Sequence, residues 1–296
     1  MNAVHFWRMS KPVNDSRSVY QRSLKPRPRI EFSSEYFFRP LAHLVVQILL
    51  PLKVQPTYLV VFHTCLGILC GILIARGELI LPALLIQVKT ILDNADGQLA
   101  RASNMISEIG RYLDTEGDTV VNAALFTGLG ILTGAWFLAI LAFITFTLLL
   151  SFDFNWEYLY RLERHEPFRA SPDTSKENQA VLRFLEGVYA GFFKPQDVAI
   201  RRFAESRFET VYRIYPNQDA RVAARLEYHE ADSLLVLANL ELSTQLAVLG
   251  LCLVFGVPEL FLWFVMLCGL TVVILQVRRE ARARAVLQGR NPSMLF

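Results

Sequence analysis

Six apolar runs of helical length set what this chain can become. They cover roughly 56–76, 79–102, 107–133, 135–158, 232–255 and 258–278. A helix rises about 1.5 Å per residue, so some 20 apolar residues cross a hydrocarbon core about 30 Å thick. Turn-forming residues separate neighbouring runs at Arg76-Gly77-Glu78, Thr133-Gly134 and Gly256-Val257-Pro258. The chain is 53% hydrophobic with a mean hydropathy of +0.33. Soluble domains lie nearer about 45–50% by a similar count. Here the excess is gathered into long blocks, which indicates an integral membrane protein built as one helical membrane domain with a polar insertion.

Charge placement orients the spans. Residues 1–35 carry seven Lys/Arg, the interval 160–231 carries twelve, and the tail from Arg278 carries five. Of the opposite turns, only the first holds a basic residue, Arg76. Lys and Arg mark the cytoplasmic side, so both ends are expected there and the number of spans is even. The shorter apolar stretch from Tyr36 to Leu52 contains Arg39 and His43 and breaks at Pro51. It is better placed as an amphipathic helix on the inner surface than as a seventh span. The expected fold is therefore an all-α polytopic membrane helix bundle, six transmembrane helices preceded by an interfacial amphipathic helix. Its divisions are a basic cytoplasmic segment 1–35, a membrane domain 36–285 with a cytoplasmic insertion at about 160–231, and a tail 286–296. No removable signal peptide is expected. Within the insertion, Pro167, Ser171-Pro172-Asp173 and Pro216-Asn217 read as turns, and Val181 to Phe193 has helical apolar spacing. That helix is expected to pack on the membrane domain or lie on lipid.

The net charge of +3 says little by itself; no basic-aromatic pattern points to nucleic acid, and the basic residues flank apolar segments, where anionic lipid headgroups are the natural partner. Cys65, Cys70, Cys252 and Cys268 all lie in apolar segments with no CxxC spacing, so they read as small buried hydrophobes rather than a zinc site or disulfide framework.

Chemistry is concentrated in the second and third runs. Asp93, Asp96, Gly97, Ala100 and Arg101 fall at i, i+3, i+4, i+7 and i+8, one helix face. Gly110, Asp114 and Asp118 fall at i, i+4 and i+8, again one face. The short link at 103–107 makes the two helices antiparallel neighbours, so their acidic faces can meet at the cytoplasmic end. Carboxylates within a membrane are costly and usually have a functional partner. Four that face each other repel without a cation, and oxygen-only ligands favour a hard ion, Mg²⁺ first and Mn²⁺ or Ca²⁺ next. Mg²⁺ keeps positions open for phosphate oxygens. Gly97, Ala100 and Gly110 clear side-chain bulk so that a ligand can approach the backbone, and Arg101 can neutralise a phosphate.

These residues fill every position of the signature DxxDGxxAR(x8)GxxxD(xxx)D, and the chain resembles the CDP-alcohol phosphatidyltransferase family of phospholipid-synthesis enzymes. The resemblance is good over roughly 36–160, rests on hydropathy alone over 232–285, and hardly touches 1–35 or 160–231. It implies transfer of a phosphatidyl or phospho-alcohol group from a CDP-linked donor to an alcohol acceptor, with release of CMP. It further implies that Asp93, Asp96 and Asp114 are metal ligands, that Asp118 completes the metal site or acts as general base, and that Gly97, Ala100, Arg101 and Gly110 form the CDP pocket. CDP-diacylglycerol is the expected donor, a homodimer the expected assembly, and a bacterial inner membrane the location the orientation fits. The acceptor is not named by the sequence.

Departures from the family pattern bear on the acceptor. The first span begins Pro56-Thr57-Tyr58 where many members have a Pro-Asn-x-x-Thr-like start, Thr119 follows the final Asp where many have Arg, and Glu116 is a further carboxylate pointing off the acidic face. His63 and Thr64 are expected to pack and hydrogen-bond within the first span, and Arg39 to anchor the interfacial helix. Asn94, Asn104 and Arg111 flank the site. Three other readings stay open: a soluble CDP-alcohol donor with a lipid acceptor, a membrane prenyltransferase, and a divalent-cation transporter. Prenyltransferases usually set their acidic motifs far apart and lack the Gly-x-x-Ala-Arg element. A transporter would place its carboxylates along a path near mid-membrane.

Overall fold

The computed structural model describes residues 19, 23, 28–168, 172 and 174–292. Most of the basic segment 1–35, including Arg8, Lys11, Arg17, Arg22, Lys25 and Arg27, lies outside the described residues, as do most of the turn at 171–173 and the end of the tail. Every regular element among the described residues is helical. A π-helical turn, Ser34–Phe38, leads into α1 (Arg39–Leu49). Four long helices follow: α2 (Pro56–Ala75), α3 (Ile80–Ala102), α4 (Glu108–Thr133) and α5 (Trp136–Glu163). The insertion folds as α6 (Gln179–Ile214) and α7 (Arg221–Tyr228). The chain then completes α8 (Ala231–Ala238), α9 (Leu242–Val254) and α10 (Pro258–Leu287).

Local sequence places several helix ends. Pro56 and Pro258 open α2 and α10, where a missing N–H is harmless. Ser107 caps α4, its hydroxyl accepting from the Gly110 N–H at 3.0 Å. Gly134 ends α4 at φ +70°, a left-handed conformation that glycine adopts without strain.

The long helices pack as a closed ring in the order α2, α3, α9, α10, α5, α4 and back to α2. Inside the ring, Phe126 of α4 meets Phe143 and Phe146 of α5 and Phe261 of α10, with ring centroids 5.4–5.8 Å apart. Ile86, Leu249 and Leu262 fill the space around them. The tightest seam is α2 against α4. A Cβ on Gly71 would stand 2.6 Å from the Ala124 carbonyl oxygen, and one on Gly128 would collide with the Gly71 carbonyl. Gly128→Leu is therefore expected to force the helices apart and cost about 1–3 kcal/mol, the usual range for overpacking. It would be read as a lower melting temperature in lipid nanodiscs; an unchanged melting temperature would mean that the seam is slack.

Four stretches among the described residues are long and apolar enough to cross a membrane: Pro56–Ala75, Trp136–Glu163, Arg221–Val254 and Pro258–Leu287. The protein is an integral membrane protein. Helices α3 and α4 fall short on apolarity because they carry the carboxylates, yet they are members of the same ring.

The structure departs from the sequence expectation in four places. Cys65 lies on the outer side of α2 and is exposed, while Cys70, Cys252 and Cys268 are buried as expected. The run 232–255 is two helices, broken at Asn239–Glu241. Asn239 explains the break: its Nδ2 donates to Leu235 O and Ile30 O at 2.8 and 3.0 Å, and its Oδ1 accepts from Phe32 N at 2.8 Å. The residues just before α1 are thereby tied into the bundle. The last helix runs to Leu287 rather than 278, because its polar end packs on α7. Finally, α6 does not stop at Phe193 but passes through Pro195. The carbonyl that Pro195 leaves without a helical partner belongs to Gly191, which is exposed and can be solvated. Packing of α6 on α4, α5 and α10 holds the rest.

Helix α1 lies against α3. Ala42 and Val46 are fully buried with Leu59, Ala95 and Leu99, while Leu44 and Ile48 on the other side stay exposed.

Candidate metal and substrate site

The site lies where α2, α3 and α4 meet. From α3, Asp93 and Asp96 project together toward α4, as their spacing requires. From α2, His63 Nε2 stands 2.7 Å from Asp96 Oδ2 and 3.7 Å from Asp93 Oδ1. One ligand atom from each of His63, Asp93, Asp96 and Asp114 lies within 4.8 Å of every other. His63 is fully buried, Asp96 nearly so, and Asp93 and Asp114 are half-buried. Among the described residues the buried Nδ1 of His63 has no hydrogen-bond partner, so the polar contacts of the ring run through Nε2.

Asp118 stands apart from this group. Its Oδ1 accepts from Lys89 Nζ at 2.5 Å, and the same ammonium is 3.4 Å from Asp93 Oδ1. Lys89 lies one turn before Asp93 on α3 and is almost completely buried. The ammonium thus supplies one positive charge to a nest of four carboxylates. The remaining negative charge calls for a cation, because like charges packed out of water are expensive. Three carboxylates and an imidazole suit a divalent ion of the hard or borderline kind.

The small residues and Arg101 have local partners. A Cβ on Gly97 would stand 3.2 Å from a guanidinium nitrogen of Arg101, so Gly97 makes room for that side chain. Arg101 Nε donates to Ser23 O at 2.5 Å. A Cβ on Gly110 would stand 2.8 Å from Ser107 Oγ, so Gly110 lets the cap of α4 form. Ala100 is half-buried on α3. Of the flanking residues, Asn94 is absorbed in packing: its Nδ2 donates to Thr90 O at 2.9 Å and its Oδ1 accepts from Ser34 Oγ at 2.9 Å. Asn104 takes the left-handed turn between α3 and α4 at φ +57°. Glu116 is half-buried, with one carboxylate oxygen sealed from solvent and without a hydrogen bond among the described residues.

A cavity of about 520 Å³ opens beside Asp114 and Asp118, enclosed by α4, α5 and α6. Asp118, Asn122 and Thr119 line one wall, and Tyr158, Tyr189 and Arg201 line another. Gly97, Ala100, Arg101 and Gly110 do not line it. The insertion also completes α4 itself. Glu177 Oε1 and Oε2 accept from the N–H groups of Glu108 and Ile109, each at 2.8 Å, at the positive end of that helix.

Sequence spacing put Asp93 with Asp96 and Asp114 with Asp118 on shared faces, and the fold brings Asp93, Asp96 and Asp114 together while Asp118 pairs with Lys89. It gave His63 a packed, hydrogen-bonded role, and His63 is buried and bonds Asp96; it passed over Lys89, although a lysine four residues before Asp93 in an apolar run is itself a signal. The contribution of the insertion had no sequence signal.

Residues 53–164 match the family model described as CDP-alcohol phosphatidyltransferase. No curated protein and no solved structure matches the chain.

Proposed function

The chain carries a CDP-alcohol phosphatidyltransferase domain at residues 53–164, and we propose that it transfers a phosphatidyl group from CDP-diacylglycerol to an alcohol acceptor, releasing CMP, in phospholipid biosynthesis. The observation that carries this reading is the convergence of His63, Asp93, Asp96 and Asp114 on one point, beside a cavity that Asp118 lines. In this reading Asp93, Asp96 and Asp114 hold Mg²⁺ or Mn²⁺, and His63 either orients Asp96 or joins the ligands. Bound there, the ion supplies charge neutralisation at the diphosphate and a better CMP leaving group. Lys89 fixes one oxygen of Asp118. The Asp118 carboxylate then takes the proton from the acceptor hydroxyl as its oxygen attacks the phosphorus. Gly97, Ala100 and Arg101, with Gly110 across the α3–α4 junction, form the CDP side. Arg101 meets nucleotide phosphate once it leaves Ser23.

The same reading places six helices across the bilayer, with the broken α8–α9 pair as the fifth. The active end faces the cytoplasm, and α1 lies in the interface with Leu44 and Ile48 toward lipid. The membrane domain spans 36–285, the bacterial inner membrane is the fitting location, and two copies form a dimer. The test is CMP release by the protein in lipid with Mg²⁺ and CDP-diacylglycerol, across a panel of acceptors. Asp118→Asn is expected to lower kcat by about 10²–10⁴-fold, the usual contribution of a general base, with the donor KM little changed. Equal loss of turnover and of donor binding would give Asp118 a role in holding the nucleotide or metal instead. Release only from a soluble CDP-alcohol, with a lipid as acceptor, would reverse the donor assignment.

A further inference from the structure

The cavity beside Asp118 contains two groups that the reaction as described leaves unused. The first is Arg201 on α6. Asn155 is fully buried, and its Nδ2 donates to Asp197 Oδ1 at 2.7 Å; Tyr189 OH donates to Asp197 Oδ2 at 2.5 Å. Asn155 Oδ1 in turn accepts from Arg201 Nε at 2.6 Å, and the Arg201 guanidinium lies 3.9 Å above the Tyr158 ring. The network fixes Arg201 through Nε alone. Among the described residues, no carboxylate pairs with it. By contrast, Arg207, Arg221, Arg225 and Arg282 of the same region each pair with a glutamate. A positioned guanidinium with its outer nitrogens free, on the wall of a cavity, is arranged to receive an anion bidentately. The second group is Asn122, one turn beyond Asp118 on α4. It is 4% exposed, lines the same cavity, and its Oδ1 has no hydrogen-bond partner among the described residues. A buried amide oxygen without a donor loses about 1–3 kcal/mol unless a ligand or water supplies one.

We propose that the insertion helix α6 builds the acceptor subsite, and that the acceptor is a polyol carrying an anionic group. Arg201 binds the anion, Asn122 accepts from one hydroxyl, and a second hydroxyl meets Asp118. The aromatic wall of Tyr158 and Tyr189 covers the carbon skeleton. This rests on the transferase reading above and adds the acceptor class to it.

The test is steady-state CMP release in nanodiscs with Mg²⁺ and saturating CDP-diacylglycerol. The acceptors are sn-glycerol 3-phosphate, myo-inositol 1-phosphate and glycerate, each against its uncharged polyol, with L-serine alongside. A phosphorylated or carboxylated polyol is expected to be preferred, and which of the two wins identifies the anion. Arg201→Gln is expected to raise the KM for that acceptor tenfold or more. Its donor KM and its Mn²⁺ affinity, measured by electron paramagnetic resonance, should stay within twofold. Arg201→Lys, which keeps the charge but not the fork, is expected to fall between. Preference for an uncharged polyol or for serine overturns the proposal. So does an anionic acceptor whose KM ignores Arg201→Gln, or an equal rise in donor KM. Absence of CMP release by the wild-type protein with every acceptor overturns the transferase reading itself, a separate result.

Discussion

Asp96→Asn is expected to abolish the metal-induced rise in melting temperature and to lower CMP release by about 10²–10³-fold. Metal stabilisation of a reacting phosphoryl group is worth several kcal/mol, and each ~1.4 kcal/mol is a factor of ten. Asparagine keeps the shape and can still bond His63 at the 2.7 Å position, so packing is preserved while one ligand charge is lost. The sign of the stability change separates electrostatics from packing. Without metal, the variant should be at least as stable as the wild type, because one of four mutually repelling carboxylates is gone. With Mg²⁺ the order should reverse, since an ion that binds only the folded state adds RT ln(1 + [L]/Kd). Melting curves with and without Mg²⁺ read both signs. A variant that keeps the full Mg²⁺-dependent rise would remove Asp96 from the ligand set.

Lys89→Met tests the opposite charge. The ammonium is almost completely buried and holds both Asp118 and Asp93. Removing one partner of a buried pair leaves the other without compensation, at a cost of about 3–5 kcal/mol. Methionine nearly matches the side-chain volume, so little of that loss would come from a cavity. The expected result is a marked fall in melting temperature without metal, largely recovered by millimolar Mg²⁺ or Mn²⁺, because a divalent ion can take over the charge that the lysine supplied. CMP release should fall even at saturating metal, since Asp118 loses the contact that fixes it. Equal melting temperatures for wild type and variant without metal would show that Lys89 is dispensable to the charge balance.

The aspartates were legible because helical spacing is a property of one segment at a time. Asp93 and Asp96 share a face by arithmetic, and so do Asp114 and Asp118; a short link was enough to bring the two faces together. The boundaries of α2, α3 and α4 were legible for the same reason, since Pro56, Ser107 and Gly134 act locally. His63 and Lys89 were harder. Their roles depend on how α2 and α3 rotate against α4; for α2 that rotation is fixed at the close approach of Gly71 and Gly128, a contact between residues 57 positions apart. The break at Asn239 was hidden because its cause is the chain near residue 30. The course of α6 through Pro195 was misread because tertiary packing overrode a local stop signal. Arg201 drew no notice in the sequence because its distinction, that no carboxylate among the described residues pairs with it, shows only in the folded neighbourhood.

The ring of helices has a consequence for how this protein could be divided. The stretch that matches the family model ends at residue 164, after four of the six ring members. The gap is closed by α9 and α10, which bring Leu249, Phe261 and Leu262 against Ile86 and Phe146, and α4 is finished by Glu177 from still another segment. The recognisable portion therefore holds the cluster of His63, Asp93, Asp96 and Asp114 without holding a complete enclosure for it. Cut out on its own, it would present an open seam lined with core side chains. Grafting the motif into another scaffold would mean carrying the closing helices and the Glu177 cap along with it.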